Sequence, residues 1–212
     1  INFEVKRLQV DEICTFVAQK QRRVTSEDNI LVGDQYVYVA LDPDTKLVPT
    51  FNVGKRTLQL STSFMYDLRT RIRTRFQLST DSLPSYRDAV DRVFGDDIDY
   101  AQVHKTYKAF DGNTGEVRYS AGCIIGITKK HITGNPERKH VSTSLIERQN
   151  LTMRMQMRRF TRLSNGFSKK FENLKYALAL HFWHYNIARI HESLRVTPAM
   201  QAKITSHLWS WY

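Results

Sequence analysis

VKRLQVDEICTFV, residues 5–17, carries apolar side chains at both sets of alternating positions. A strand with one face in water alternates apolar and polar residues, whereas a strand covered on both faces is apolar on both. The stretch therefore predicts an extended strand at the centre of a layered sheet. Asp11 lies inside it, and a buried carboxylate needs a partner or a metal ion because an unpaired buried charge is costly.

Further strands are predicted on both sides of this stretch. Residues 36–42 and 46–53 are rich in β-branched and aromatic residues and flank a turn at residues 43–45, so with the first strand they predict an antiparallel meander. Residues 76–80 form a short apolar strand that ends at Asp81. A last strand is predicted over residues 98–108.

Helices are predicted where apolar residues recur at helical spacing. Thr57 is a suitable N-cap for the first helix, and Gly95 is a suitable terminator for the second. The predicted helices cover residues 57–75, 84–94, 142–163 and 167–190, with a short one beginning at Thr197–Pro198. This order predicts an α/β fold in which a mixed five-stranded sheet has flanking helices and a C-terminal helical extension.

The domain organisation follows from these elements. We expect an α/β domain over residues 1–163 and a C-terminal helical segment over residues 164–212, packed on the same domain. Glycines and basic residues punctuate residues 109–141, which predicts a long irregular basic insertion. Such segments in compact domains are usually functional or mobile.

Composition narrows the functional class. The 212 residues include 32 Lys and Arg against 21 Asp and Glu, a net charge of +11, and the isoelectric point is about 9.7. The basic residues concentrate over residues 129–175, which favours a nucleic-acid partner over a merely solvated basic surface.

The same composition bears on the cellular setting. Cys14 and Cys123 form no metal-binding or disulfide pattern. No apolar run approaches the roughly 20 residues that span a membrane, and the first residues lack a signal-peptide core. We expect a cytoplasmic, nucleoid-associated protein with no membrane partner. Because the chain begins at Ile1, we also expect upstream sequence to belong to it.

Three acids are candidate metal ligands. Asp11 lies in the first strand, Asp81 ends the strand after a crossover helix, and Glu147 lies early in a basic helix. Carboxylates from two strands and one packed helix can converge on one end of a sheet and bind two Mg²⁺ or Mn²⁺ ions for phosphoryl transfer. Glu12 is disfavoured because strand alternation aims it at the opposite face.

Each acid also has an ordinary structural explanation. Asp81 suits an N-cap or a turn, and Glu147 suits a surface ion pair with Arg148 or Lys139. The helix after Glu147 favours the functional interpretation, since Arg154 follows two turns later on the same stripe and can bind a phosphate. The adjacent stripe is predicted to pack on the sheet: Ile146, Asn150, Met153, Met157 and Phe160.

The candidate DNA contacts are mainly basic residues that neutralise phosphates. His140 either contacts the scissile phosphate or is simply exposed. Besides His140, the candidates are Lys129, Lys130, Arg138, Lys139, Arg148, Arg154, Arg158, Arg159, Arg162, Lys169 and Lys170.

Four ordered motifs carry a resemblance to a known family. They are Val10-Asp11-Glu12; Ser79-Thr80-Asp81 with Tyr86; Ser144-Leu145-Ile146-Glu147-Arg148-Gln149-Asn150-Leu151, continuing to Phe167-Ser168-Lys169-Lys170; and the tail with Tyr185-Asn186 and Thr197-Pro198-Ala199. Over residues 8–200 the chain resembles the DDE transposases of short bacterial insertion sequences, within the RNase H-like, retroviral-integrase-like superfamily.

The resemblance implies an RNase H-like fold, two divalent ions on Asp11, Asp81 and Glu147, and cleavage and transfer of transposon-end DNA. It also implies a homodimer acting on transposon ends and target DNA. Ser82 departs from the glycine that commonly follows the second aspartate, without removing a ligand. Since such transposases usually carry an N-terminal DNA-binding region, we expect end recognition to lie outside this chain or to be lost.

Two alternatives to an active transposase stay open. One is an RNase H-like nuclease without strand transfer. The other is a domesticated domain that binds DNA or a protein without catalysis; the intact acidic triad argues against it.

Overall fold

The computed structural model describes residues 4–108, 122–161 and 164–210. The strands are β1 (Arg7–Val17), β2 (Gly33–Leu41), β3 (Phe51–Gly54), β4 (Gln77–Asp81), β5 (Asp99–Tyr107) and β6 (Ile124–Thr133). The helices are α1 (Leu58–Arg71), α2 (Pro84–Phe94), α3 (Ser144–Gln156), α4 (Phe171–Trp183) and α5 (Pro198–Gln201). None of the helices within these described ranges is long and apolar enough to cross a bilayer.

The strands form one mixed sheet in the order β3-β2-β1-β4-β5-β6. The predicted meander is confirmed, since β1, β2 and β3 pair antiparallel. β1 pairs parallel with β4, and β4 pairs parallel with β5. β1 therefore has a strand on each side, as its two apolar faces predicted.

The sheet has six strands rather than the predicted five. β6 pairs antiparallel with β5 over residues 124–133, inside the segment that was predicted to be irregular. The sequence hid this strand because most of its residues are exposed or half-buried, so it lacks the alternation that marks a strand against a core. Residues 109–121 of the predicted insertion lie outside the described residues.

Two apolar cores lie on opposite faces of the sheet. Leu8 and Val10 of β1 join the core beneath α1 and α2. Ile13 and Val17 of the same strand join the core beneath α3 and α4. All four side chains are nearly inaccessible to solvent, so the two sets of alternating positions in β1 bury apolar area on both faces.

The helix ends follow their capping residues. The Thr57 hydroxyl accepts a hydrogen bond from the Leu60 N–H at 3.2 Å, which starts α1 as predicted. Gly95 ends α2 with φ of 52°, a left-handed value that glycine adopts without strain. α3 is shorter than predicted, because it ends at Gln156 and a 3₁₀ turn follows over Arg158–Phe160.

The C-terminal segment contacts the β2–β3 side of the molecule. α4 ends in a π turn over His184–Ala188. In that turn the Asn186 side chain accepts from the Val48 N–H and donates to its carbonyl, at 3.0 and 2.8 Å. The Tyr185 hydroxyl donates to the Lys46 carbonyl at 3.0 Å. These bonds satisfy backbone groups of the β2–β3 connection, which would otherwise be costly to bury.

Candidate active site

Asp11 and Asp81 lie side by side because of how β1 and β4 pair. Val10 and Thr80 are the last partners of these parallel strands. Asp11 and Asp81 are the next residue on each strand, so both carboxylates lie where β4 ends and β1 continues paired only with β2. This is the carboxyl end of a strand pair, the edge at which open α/β sheets usually bind ligands.

Glu12 joins this pair, contrary to its predicted exclusion. One carboxylate oxygen from each of Asp11, Glu12 and Asp81 lies within 4.8 Å of the others. Alternation does aim Glu12 at the α1–α2 face, where it contacts Tyr86 of α2. β4 ends at Asp81, however, and beyond that point no strand on this side of β1 separates the two faces of the sheet. The Glu12 side chain, which is longer than that of Asp11, therefore reaches the space between Asp11 and Asp81. These three residues are called the acid cluster below.

Burial and mutual repulsion shape the electrostatics of Asp11. Burial, followed by repulsion from Glu12, Asp81 and Glu147, raises the pKa of Asp11 to about 7. Its Oδ2 accepts a hydrogen bond from Asn150 Nδ2 at 2.9 Å. One amide donor offsets only part of this penalty, so the carboxylate has the environment of a cation ligand.

Glu12 is better compensated than Asp11. Arg56 forms an ion pair with its Oε1, and the buried Tyr86 hydroxyl donates to its Oε2 at 3.0 Å. Burial still raises the pKa of Glu12, with repulsion from Asp81 next, while Arg56 and Tyr86 act in the opposite direction. Arg56 also lies over the Tyr36 ring at 5.3 Å, which fixes the guanidinium.

Asp81 is held by its own turn. Its Oδ1 accepts a hydrogen bond from the Leu83 N–H at 3.0 Å, so the turn role that the sequence left open for Asp81 is present. Burial raises its pKa, the Leu83 bond and Arg56 lower it, and Glu147 raises it. One oxygen is therefore fixed in the turn, and the carboxylate as a whole faces the other acids.

Glu147 lies beside the acid cluster but outside its tight group. Its Oε1 accepts a hydrogen bond from the Thr143 hydroxyl at 2.6 Å and forms an ion pair with Lys105. Its charge nevertheless helps to raise the pKa of Asp11 and Asp81. Neither Arg148 nor Lys139, the partners suggested by the sequence, forms an ion pair with it among the described residues.

The start of α3 is anchored to β1. Gln9 Oε1 accepts hydrogen bonds from the N–H groups of Leu145 and Ile146, at 3.0 and 3.1 Å. Two free N–H groups of the first helical turn are thereby satisfied by the strand that carries Asp11. One turn later Asn150 reaches Asp11, so the position of Glu147 is fixed relative to Asp11 through two links.

Sequence reasoning missed two residues of this site. Lys105 extends from β5 on the same face as Val103, whose partner on β4 is Asp81. Asn150 was predicted only to pack, yet it bonds Asp11, and its Oδ1 is buried with no hydrogen-bond partner among the described residues. A buried acceptor without a donor needs a partner that the described residues do not supply, and this one belongs to the side chain that bonds Asp11.

The basic candidates lie in four places. Arg148, Arg154, Arg158 and Arg159 lie on or just after α3, the helix that carries Glu147. Lys129 lies on β6 with its Nζ on the Arg138 carbonyl, and Lys130 is its neighbour. Lys169 lies over the Phe167 ring at 3.9 Å, with Lys170 next to it.

Lys139 and His140 lie at the other end of the strands. His140 bonds Arg7 at the start of β1, four residues or roughly 13 Å from Asp11. Lys139 pairs with Glu137 at 2.9 Å. Arg162 lies outside the described residues.

The sheet order and the placement of the acids define the class of fold as RNase H-like. The chain is similar to a chain in the cryo-EM structure of the simian T-cell lymphotropic virus intasome in complex with PP2A regulatory subunit B56 gamma. That match has a TM-score of 0.53 and 13% identity, and covers 94% of this chain and 55% of the other. This chain thus spans about half the length of that relative.

Two weaker likenesses are to transposase structures. The piggyBac transposase synaptic complex with hairpin DNA matches at TM-score 0.30 and 14% identity, over 54% of this chain and 26% of the other. The Mos1 transposase paired-end complex with left transposon end matches at TM-score 0.26 and 16% identity, over 41% and 33%. No protein-family model and no curated protein sequence matches the chain.

Proposed function

We propose that this chain is the catalytic domain of a DDE transposase of the bacterial insertion-sequence type, a divalent-metal-dependent polynucleotidyl transferase acting on DNA. The observation that carries the proposal is the meeting of Asp11 and Asp81 where the pairing of β1 with β4 ends, beside Glu147 on an anchored basic helix. The RNase H-like fold and its likeness to an intasome chain support it.

The donor set fits two Mg²⁺ or Mn²⁺ ions. Hard cations prefer carboxylate and amide oxygens. The acid cluster and Glu147 together offer four carboxylates, and burial, followed by repulsion from the other acids, raises the pKa of Asp11 to about 7. We propose Asp11, Asp81 and Glu147 as the ligands. Ions held there would activate an attacking oxygen and neutralise the charge on the leaving oxygen.

The chain's own residues position this chemistry. Asn150 holds Asp11, the Leu83 N–H holds Asp81, and Thr143 holds Glu147. Fixed carboxylates need little reorganisation when phosphate charge develops, and that preorganisation lowers the barrier. Arg148 is exposed one residue after Glu147 and would position the DNA backbone without reading its sequence.

Cleavage and joining can be tested on one plasmid. We expect Mn²⁺-dependent nicking of supercoiled DNA, and joining of a labelled oligonucleotide through its 3′-hydroxyl to the same plasmid. Asp81→Asn and Glu147→Gln should each lose both activities. Asp88→Asn and Glu172→Gln replace exposed acids of α2 and α4 and should keep them.

The outcomes separate the open alternatives. Nicking without joining would identify a nuclease that lacks strand transfer. DNA binding with neither activity would identify a non-catalytic domain. Full activity in Asp81→Asn would remove the metal-site assignment. A homodimer is part of the proposal and is checked by light scattering with and without DNA.

A further inference from the structure

A cavity of about 740 Å³ lies farther along β1 than the acid cluster, and neither the acid cluster nor Glu147 lines it. Its walls come from the outer half of β1, the 3₁₀ turn Gln21–Arg23 and the segment that follows α3. This volume lies within the range of pockets that bind small molecules, roughly 300–1,000 Å³.

Two elements connect the cavity to the acid cluster. Along β1, Phe16 follows Asp11 by five residues, or about 17 Å. Along α3, Arg154 follows Asn150 by four residues, or about 6 Å. Both Phe16 and Arg154 line the cavity. A DNA strand whose scissile phosphate lies at the acid cluster would place a nucleotide a few positions away at the cavity, since stacked nucleotides are about 3.4 Å apart.

One wall of the cavity is aromatic. The Phe16 and Phe167 rings lie 4.7 Å apart between centroids, tilted by 33°, and both side chains are half-buried. Lys169 covers the Phe167 ring at 3.9 Å. A nucleobase can stack on such rings only when it is unpaired, because only then is its face accessible.

The rim of the cavity is cationic. Its charged residues are Lys20, Arg22, Arg23, Arg154 and Arg159, against the single acid Asp34. Arg159 donates to the Ser168 hydroxyl at 2.9 Å. Arg22 and Arg23 are exposed, and no hydrogen bond or ion pair engages either side chain within the described parts of the chain. Two adjacent unengaged guanidinium groups suit phosphate oxygens.

We propose that this cavity binds an unpaired nucleotide of the DNA substrate, with the base on the Phe16–Phe167 pair and the neighbouring phosphates on Arg22 and Arg23. The inference rests on the proposed function, because it takes DNA as the substrate class. It adds a site for a single-stranded or extruded nucleotide a few positions from the point of cleavage. Strand separation at that point therefore contributes to substrate recognition.

The test measures binding without chemistry. The full chain is titrated in EDTA against three fluorescent DNAs: a blunt duplex, the same duplex with a five-nucleotide overhang, and that overhang with abasic sites. We expect the intact overhang to bind roughly 5- to 150-fold tighter than the abasic one, the range that about 1 to 3 kcal/mol of base–aromatic stacking supplies. A 2-aminopurine in the overhang should be quenched on binding.

Variants assign that preference to the cavity. Phe16→Leu and, separately, Phe167→Leu keep an apolar side chain and should abolish the preference for intact bases. Tyr66→Leu changes an exposed ring on α1 and should leave it unchanged. Arg22→Ala combined with Arg23→Ala should weaken both overhangs equally and reduce the salt slope by about 1.4, since each single-strand phosphate contact contributes roughly 0.7.

The possible failures are distinguishable. If intact and abasic overhangs bind alike while the blunt duplex still binds, the nucleotide site is wrong and the proposed function stands. A preference that survives in Phe16→Leu and Phe167→Leu also refutes it. If none of the three DNAs binds, both proposals fall.

Discussion

Asp11 and Glu12 are adjacent carboxylates on one strand, yet they lie in two different environments. Glu12 faces α1 and α2, where Arg56 and Tyr86 supply a cation and a hydroxyl donor. Asp11 faces α3, where Asn150 is its side-chain donor. The pKa of Asp11 rises to about 7, mainly through burial and then through repulsion from Glu12 and Asp81.

This difference separates the roles of the two acids. A buried carboxylate with a full set of partners contributes to the structure and positions its neighbours. One that lacks them is stabilised by a cation brought from outside, and its unfavourable environment persists because function requires it. Asp11 is therefore the expected ligand and Glu12 the expected positioning residue.

The largest effect is expected on catalysis. Asp11→Asn removes the charge of a proposed metal ligand, and we expect Mn²⁺-dependent plasmid nicking to fall roughly 10³-fold, equivalent to about 4 kcal/mol of transition-state stabilisation. Glu12→Gln removes a neighbour of the ligands and should cost roughly 10- to 100-fold. Initial rates of both variants are measured at saturating Mn²⁺. A larger loss in Glu12→Gln than in Asp11→Asn would reverse the two roles.

The same substitution, Asp11→Asn, is expected to increase the free energy of unfolding of the metal-free chain, a smaller effect than the loss of activity. The folded-state pKa of Asp11 is raised above its unfolded value. Stability is therefore lost as pH rises from about 4 to about 7, because the unfolded state ionises first. Asp11→Asn removes this penalty and should raise the free energy of unfolding on the order of 2 kcal/mol at pH 8 in EDTA, and little at pH 4.

Urea unfolding at the two pH values measures this effect. Asp88→Asn, an exposed acid on α2, is the matched control and should show no such pH dependence. Equal stability of Asp11→Asn and the wild-type chain at pH 8 would mean that Asp11 is already compensated and does not require a cation.

The environment of Glu12 is tested by removing one of its two side-chain donors, the Tyr86 hydroxyl. Tyr86→Phe keeps the buried ring but deletes the hydroxyl that bonds Glu12. We expect a loss of about 1 to 2 kcal/mol in the free energy of unfolding, because Glu12 loses a buried hydrogen bond. Chemical denaturation of Tyr86→Phe and of Glu12→Gln combined with Tyr86→Phe measures it. Loss of the Tyr86 hydroxyl should cost less free energy of unfolding in the Glu12→Gln chain than in the wild-type chain. An equal cost in both chains would show that the hydroxyl does not stabilise the protein through Glu12.

The sequence predicted the strands and helices that carry Asp11 and Glu12, but not the side-chain contacts of these acids. Apolar residues on both faces located β1, a short apolar run located β4, and helical spacing of apolar residues located α1. These patterns missed β6, whose residues pack against little. Strand alternation assigned Glu12 to the correct face of the sheet but wrongly excluded it from the acid cluster. Glu12 reaches the cluster because β4 ends beside it, and where a neighbouring strand ends cannot be read from the residues around Glu12. The bond between Lys105 and Glu147 joins residues 42 apart, and no local pattern encodes it.

The smallest effect concerns Lys105. Its ammonium forms an ion pair with Oε1 of Glu147. A divalent ion bound to Glu147 must therefore share that oxygen with Lys105 or displace the lysine. Lys105→Met keeps the length of the side chain and removes the charge. We expect Mn²⁺ to bind about two- to fivefold tighter, because a partly exposed ion pair contributes up to about 1 kcal/mol. Calorimetric titration of the DNA-free chain measures this affinity.

Two variants make that result specific to Glu147. Lys108→Met removes an exposed charge close to Lys105 and should leave Mn²⁺ affinity nearly unchanged, which accounts for the general loss of positive charge. In a Glu147→Gln background Lys105→Met should have no further effect, because the ion pair is already gone. If Lys105→Met tightens Mn²⁺ binding equally in both backgrounds, the lysine acts on the acid cluster as a whole and Glu147 is not its target.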